Sequence, residues 1–287
     1  MSRFILGQIN KLSIVRFCEH GAFLDGGSKE ILMPKKYVLP EWHIGDEVEV
    51  FVYLDQGKRL VATTETPCAV VGQFAYLRVS WVNRYGSFMD WGLTKDLFVP
   101  FGEQRHHFQK DKSYLVYIYI DDMTGRIVGT SKLDRNLRDW DSTLKEGDKV
   151  EILVWKKTDL GYKVIVENAF EGLVYSNEIF QPIHIGMKIR AFIKYVREDG
   201  KVDIALQKAG KELAKDTAAI IMDKLNEANG FLPFGDHSDA DEIAETFHVS
   251  KKAFKRAIGS LYKDRLITIE EDGIHIASKT ANKNKKK

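Results

Sequence analysis

No apolar run in this chain of 287 residues approaches the ~20 needed to span a bilayer, and the opening stretch MSRFILGQINKL is too short in apolar residues for a signal peptide. A membrane protein is thereby excluded, and a cytoplasmic location is expected. Cysteine is nearly absent: Cys18 and Cys68 stand alone without a CxxC partner, which excludes a disulfide framework or a cysteine-bound zinc and leaves two reduced bystander thiols. Neither sign of charge dominates, with 43 Lys and Arg against 41 Asp and Glu, a formal net charge of +2 and a pI near 8.3. Such a balance excludes a strongly polybasic protein, so any contact with nucleic acid must be local. Also missing are a Gly-rich phosphate loop, a His-x-x-Glu spacing and a second carboxylate cluster. Asp121 and Asp122 read as turn residues and His106 and His107 as loop residues, so no catalytic residue, metal or cofactor is expected and an intrinsic nuclease is disfavoured.

What the chain does have is a repeat. Gly7 precedes Gly21, Gly72 precedes Gly86 and Gly147 precedes Gly161 by the same interval of roughly 14 residues, and the copies begin about 65 to 75 residues apart. Each copy runs on to a short segment ending near Pro34, Pro100 or Tyr175, then to a β-rich segment with hairpin signals at Asp55 to Gly57, Thr124-Gly125 and Asp199-Gly200. Five short strands in ~65 residues fit a closed OB-type barrel better than a sandwich, whose edges would stay exposed. The segment EGDKVEIL fits either the fourth strand of the second copy or the first of the third, and is assigned to the third.

After Lys208 the period changes. The stretch from Gly210 places Leu213, Ile220, Ile221 and Leu225 on one helical face and closes at Gly230. Ser238 and Asp239 cap a second helix carrying Ile243 and Phe247, and Ser250 caps a third. A hairpin at Asp272-Gly273 ends the pattern, and helix, helix-turn-helix and wing in that order predict a winged helix. The expected fold is therefore mainly β with a C-terminal α+β part: OB barrels over 1–66, 67–142 and 143–208, a winged helix over 209–278, and a basic disordered tail over 279–287.

The segment RVSWVNRYGSFMDWG, followed by LFVP and GRIVGTSK, resembles the S-one RNA-binding domain of ribosomal-protein type, and three such modules before a winged helix resemble the bacterial conserved virulence factor B family. The resemblance implies a non-enzymatic protein that holds single-stranded RNA on the barrel face of the second and third strands, with aromatics stacking on bases and Arg and Lys taking phosphates. It also implies an influence on virulence-related gene expression. In the middle copy the stacking positions fall on Tyr85 and Phe88, with Trp81, Arg84, Arg126 and Lys132 as neighbours; Trp81 and Phe88 have a core position as the alternative. The first copy offers His20 and Phe23 with Arg16 and Lys35 nearby, and the third only Tyr175, with Leu160 and Lys163 at the aromatic positions. All three copies depart from the family where it places a glycine, carrying Leu12, Leu77 or Ile152.

On the third helix Lys251, Lys252, Lys255, Arg256 and Lys263 form a basic face opposite Phe254, Ala257, Ile258 and Leu261. That face suits RNA phosphates or a DNA groove, or else is a solvated face of a packing module; Glu270, Glu271 and Asp272 on the wing oppose phosphate. A protein-protein adaptor in an RNA-processing or transcription complex is the competing function.

Overall fold

The computed structural model describes residues 3–55, 57–139, 143–208 and 211–277, the last range by backbone alone at 211 and 212. The expected tail at 279–287 and the strand-to-helix change at Gly210 lie outside the described residues. Among the described residues no helix is long and apolar enough to cross a membrane.

The first barrel comprises β1 (Ile9–Cys18), β2 (Gly21–Asp25), β3 (Glu30–Pro34), β4 (Glu47–Leu54) and β5 (Leu60–Thr63). The second comprises β6 (Phe74–Val82), β7 (Gly86–Asp90), β8 (Leu97–Pro100), β9 (Ser113–Ile120) and β10 (Ile127–Thr130). The third comprises β11 (Lys149–Thr158), β12 (Gly161–Val166), β13 (Phe170–Tyr175), β14 (Lys188–Val196) and β15 (Val202–Ala205). Each closes in the order first, second, third, fifth, fourth, with only the third and fifth strands parallel. The segment EGDKVEIL accordingly enters the third barrel, since β11 pairs with β12 and β14.

The repeated glycines answer two demands of this closure. Gly7, Gly72 and Gly147 all adopt positive φ and each donates its N–H to the fourth strand of its own barrel, at Val52, Ile118 and Ile193, over 2.8 Å. A Cβ on Gly21, Gly86 or Gly161 would lie 2.0, 2.3 or 2.0 Å from the third-strand carbonyl of Met33, Val99 or Val174, so the second strand passes too close for a side chain. Leu12, Leu77 and Ile152, standing where a glycine is usual, are core residues that fill the barrels.

Two compact units divide the chain, residues 1–137 and 138–287. Within the first, the two barrels are stitched together: Gln8 donates to the Val71 carbonyl at 2.7 Å, Phe51 meets Trp91 edge-on at 5.5 Å, and the Glu65 carboxylate accepts from the Thr94 N–H at 2.8 Å. The second unit holds the third barrel and the helices α1 (Lys211–Glu227), α2 (Ala240–Phe247) and α3 (Lys251–Lys263), with a small sheet of β16 (Phe231–Leu232), β17 (Ile267–Glu270) and β18 (Gly273–Ile276). There Gln207 donates to the His248 carbonyl at 2.6 Å.

In α1 the core-facing stripe is the half-buried Leu213 followed by the buried Thr217, Ile221 and Leu225, four residues apart, and Ile220 points outward at 39% exposure. Thr217 is admitted to the core because its hydroxyl donates to the Leu213 carbonyl at 2.7 Å, leaving no bare polar atom. Asp239 caps α2 and Ser250 caps α3, while Ser238 instead accepts from Gly235 N–H at 2.8 Å and closes the preceding loop. The wing turns at Glu271 and Asp272, with Gly273 already the first residue of β18 and paired with Glu270.

Candidate nucleic-acid interface

In every barrel the pairing of the first two strands slips by one residue at the same place: between Ile14 and Arg16, between Val79 and Trp81, and between Val154 and Lys156. Such a bulge reverses the in-out alternation beyond it. Val79 is wholly buried, yet Trp81, two residues on, is 45% exposed on the outer face. There it lies opposite Phe88 and stacks on it, ring centres 3.7 Å apart and planes 3° apart. Phe88 in turn meets Phe98 of β8 at 4.9 Å and 39°. The inner sides of the same strands carry Met89, Leu97 and Val99 into the core. Trp81 and Phe88 therefore belong to an external platform of three rings and not to the core.

Asp96 fixes one end of it. Its carboxylate accepts the Trp81 indole N–H at 3.0 Å and, more weakly, the Ser80 hydroxyl at 3.4 Å. Tyr85 stands apart from the stack, at the β6–β7 turn and 59% exposed, with the Arg84 guanidinium 4.7 Å from its ring centre. Asn83 sets that turn by accepting from the N–H groups of Tyr85 and Gly86 at 2.8 and 3.2 Å. Lys132 is tied to the Gly102 carbonyl and to Glu103, the latter at 3.4 Å. Arg126 is exposed at the β9–β10 hairpin, on the side of Lys95.

The other barrels keep the scaffold and change the chemistry. Arg16 takes the place of Trp81, its guanidinium 3.8 Å from the centre of the Phe23 ring and held there by Glu30 at 2.6 Å; Leu32 takes the place of Phe98. That bond lowers the Glu30 pKa and raises the Arg16 pKa. His20 is exposed in the β1–β2 turn and Lys35 is exposed just after β3, so neither joins the Phe23 ring. In the third barrel the three positions are Lys156, Lys163 and Leu173, and Lys163 is paired with Glu171 at 2.5 Å. Tyr175 accepts a hydrogen bond from Arg197 at 2.6 Å beyond a shallow cleft of about 340 Å³ bounded by Leu160, Lys163, Glu171 and Arg197. Glu30, Asp96 and Glu171 occupy one equivalent position and each grips the outward group of its barrel.

Phe98 and Asp96 were the residues that sequence reading missed, although the alternation in DLFVP, with Leu97 and Val99 inside, puts Asp96 and Phe98 on the outer face. On α3, Lys252, Lys255, Arg256 and Lys263 are exposed and Lys251 half-buried, with Lys255 3.9 Å from Asp236; Phe254, Ala257, Ile258 and Leu261 are buried as expected. Among the described residues, the grouping with metal-ligand geometry is Glu270, Asp272 and His275 on the wing, whose ligand atoms lie within 4.8 Å of one another. His275 is bonded to Asp272 at 3.0 Å, which lowers the Asp272 pKa.

Closed five-stranded barrels with outward groups on their first three strands, followed by a helix-turn-helix and wing, define a protein built from modules of the nucleic-acid-binding kind. The S1 domain family model matches residues 6–65 and the CvfB-like winged helix domain matches residues 219–276. The chain is a homologue of conserved virulence factor B over nearly its whole length: it is 26% identical to that protein of Staphylococcus epidermidis over 289 residues, covering 97% of each chain. It is also 28% identical over 267 residues to the Bacillus subtilis protein YitL, covering 90% of this chain and 89% of that one. Among solved structures, a multidomain protein with nucleic acid binding domains from Streptococcus pneumoniae is 24% identical, with 94% of this chain and 98% of that chain covered at a TM-score of 0.42.

Proposed function

We propose that the protein binds single-stranded RNA without cleaving it, and that the platform of Trp81, Phe88 and Phe98 is its principal base-stacking surface. The observation that carries this reading is the exposed face-to-face stack at 3.7 Å, which the strand bulge turns out of the core and Asp96 holds in place. Trp81 remains 45% exposed beyond the face that Phe88 covers, and an open aromatic surface accepts any base. The first and third barrels contribute cations in place of rings, through Arg16 over Phe23 and through Lys156 and Lys163. Tyr85 with Arg84, together with Lys132, extends the contacts along the second barrel, and the α3 face of Lys252, Lys255, Arg256 and Lys263 offers further phosphate contacts to RNA or DNA. The relatives are named conserved virulence factor B, and the role read here for this chain is control of virulence-related genes through the RNA it holds. The test is anisotropy of a fluorescein-labelled RNA of about twelve nucleotides with the wild type and a Trp81→Ala/Phe88→Ala variant. An affinity loss of tenfold or more is expected, with the RNA intact after incubation with magnesium; wild-type protein that ignores the RNA leaves the adaptor function standing.

A further inference from the structure

Of the three carboxylates that hold the outward groups of the barrels, two are neutralised by what they hold. Glu30 grips the Arg16 guanidinium at 2.6 Å and Glu171 the Lys163 ammonium at 2.5 Å, so each charge meets its opposite. Asp96 instead holds an uncharged group, the Trp81 indole N–H, with Oδ2 at 3.0 Å. The contact of its Oδ1, the Ser80 hydroxyl at 3.4 Å, is also uncharged and is longer than an ordinary O–H···O bond. Lys95, its neighbour in the chain, turns its ammonium away to the Leu54 carbonyl at 2.6 Å, and among the described residues no cation is paired with Asp96.

The platform thus carries an uncompensated carboxylate at the rim of its largest ring. On a surface that meets a polyanion such a charge repels phosphates, and a neutral amide oxygen would hold an indole N–H as well. A carboxylate differs in what remains after that bond is made: a second oxygen that accepts hydrogen bonds and never donates one. A base laid on the open surface of Trp81 brings its own rim beside the indole edge that Asp96 occupies.

We propose that Asp96 selects the base on this platform, its carboxylate accepting a hydrogen bond from the exocyclic amine of the base stacked on Trp81, so that amino-bearing bases are preferred to uracil. The proposal rests on the RNA-binding reading and adds a substrate preference to it. Cytosine presents its N4 amine where uracil presents a carbonyl, and Asp and Glu are the side chains that accept from that amine. The one ring N–H of uracil lies between two carbonyl oxygens, which the anion repels. The rings accept either pyrimidine, and the carboxylate ranks them. In the first and third barrels Glu30 and Glu171 are occupied by their own cations and make no such selection.

The experiment compares the anisotropy of fluorescein-labelled oligocytidylate and oligouridylate of about twelve nucleotides at neutral pH, a pair whose rings offer equal stacking area, with melting temperature recorded for every variant. Wild type is expected to prefer oligocytidylate by about tenfold, the effect of one hydrogen bond to a charged acceptor. Asp96→Asn keeps an oxygen for the indole but replaces the second oxygen with an N–H donor. Its preference is expected to fall to parity or turn toward oligouridylate, while it melts within a few degrees of wild type. Wild type without a preference for oligocytidylate, beside a Trp81→Ala/Phe88→Ala variant that binds both oligomers weakly, refutes the selection and leaves the platform standing, whether or not Asp96→Asn folds. An Asp96→Asn variant that keeps the wild-type ratio also refutes it and makes Asp96 a positioning residue for the indole. Wild type that binds neither oligomer overturns both readings.

Discussion

Trp81 and Met89 are large apolar residues on one pair of strands, and truncating them should report opposite properties. Met89 is wholly buried, so Met89→Ala is expected to cost ~2–5 kcal/mol of folding free energy and to affect RNA only through unfolding. Trp81→Ala removes an exposed ring and loses a stacking contact with Phe88, ~0.5–1.5 kcal/mol in stability. Its RNA affinity should fall by ~1–3 kcal/mol per base lost, readable by anisotropy beside a denaturant midpoint. Asp96→Ala should weaken RNA binding as well, by freeing the indole, while the protein melts within a few degrees of wild type. The position of Trp81 was not legible from alternation alone, because strict period-two counting from the buried Val79 directs it inward. One extra residue, Ser80, reverses the count, and no residue type announces it. Phe88 was legible, since no bulge separates it from Met89.

At the level of elements, spacing carried more than composition did. The interval from Gly72 to Gly86 is the length of one first strand and its turn, and Gly86 stands where a Cβ would meet the Val99 carbonyl at 2.3 Å and the Phe98 ring at 2.8 Å. Gly86→Ala is therefore expected to destabilise the second barrel by ~1–3 kcal/mol and to disturb the platform. Gly102→Ala, with nothing within 4 Å, is the control and should melt as wild type does. Ser250→Ala should cost ~1 kcal/mol, measured by denaturant unfolding, through loss of the bond from the Ala253 N–H. The face of α1 was read one residue off at Ile220 because Thr217, a polar residue, completes the buried stripe. Its suitability for the core depends on a bond to the Leu213 carbonyl, which a hydropathy pattern does not register.

Over the whole molecule, the division at 137 and 138 predicts that the two pieces, produced separately, each give a cooperative melting transition; a molten or aggregating 1–137 piece would contradict it. The third barrel should travel with the winged helix, because Gln207 and His248 link them. That link joins a barrel strand's end to a helix end far along the chain, and neither residue marks it in the sequence. With a net charge of +2, the full chain should show a salt slope worth a few phosphates; a slope near ten phosphates would assign binding to the lysine-rich terminus instead. The threefold bulge has a consequence for how such chains diverge. Deleting Ser80 would place Trp81 directly after Val79, where plain alternation already turns it outward opposite Phe88, so the ring platform is expected to survive the loss of the bulge. The bulge lets each first strand carry one residue more than its partner while the side chains beyond it keep the outer face, so strand length can drift by a residue without costing the ligand surface.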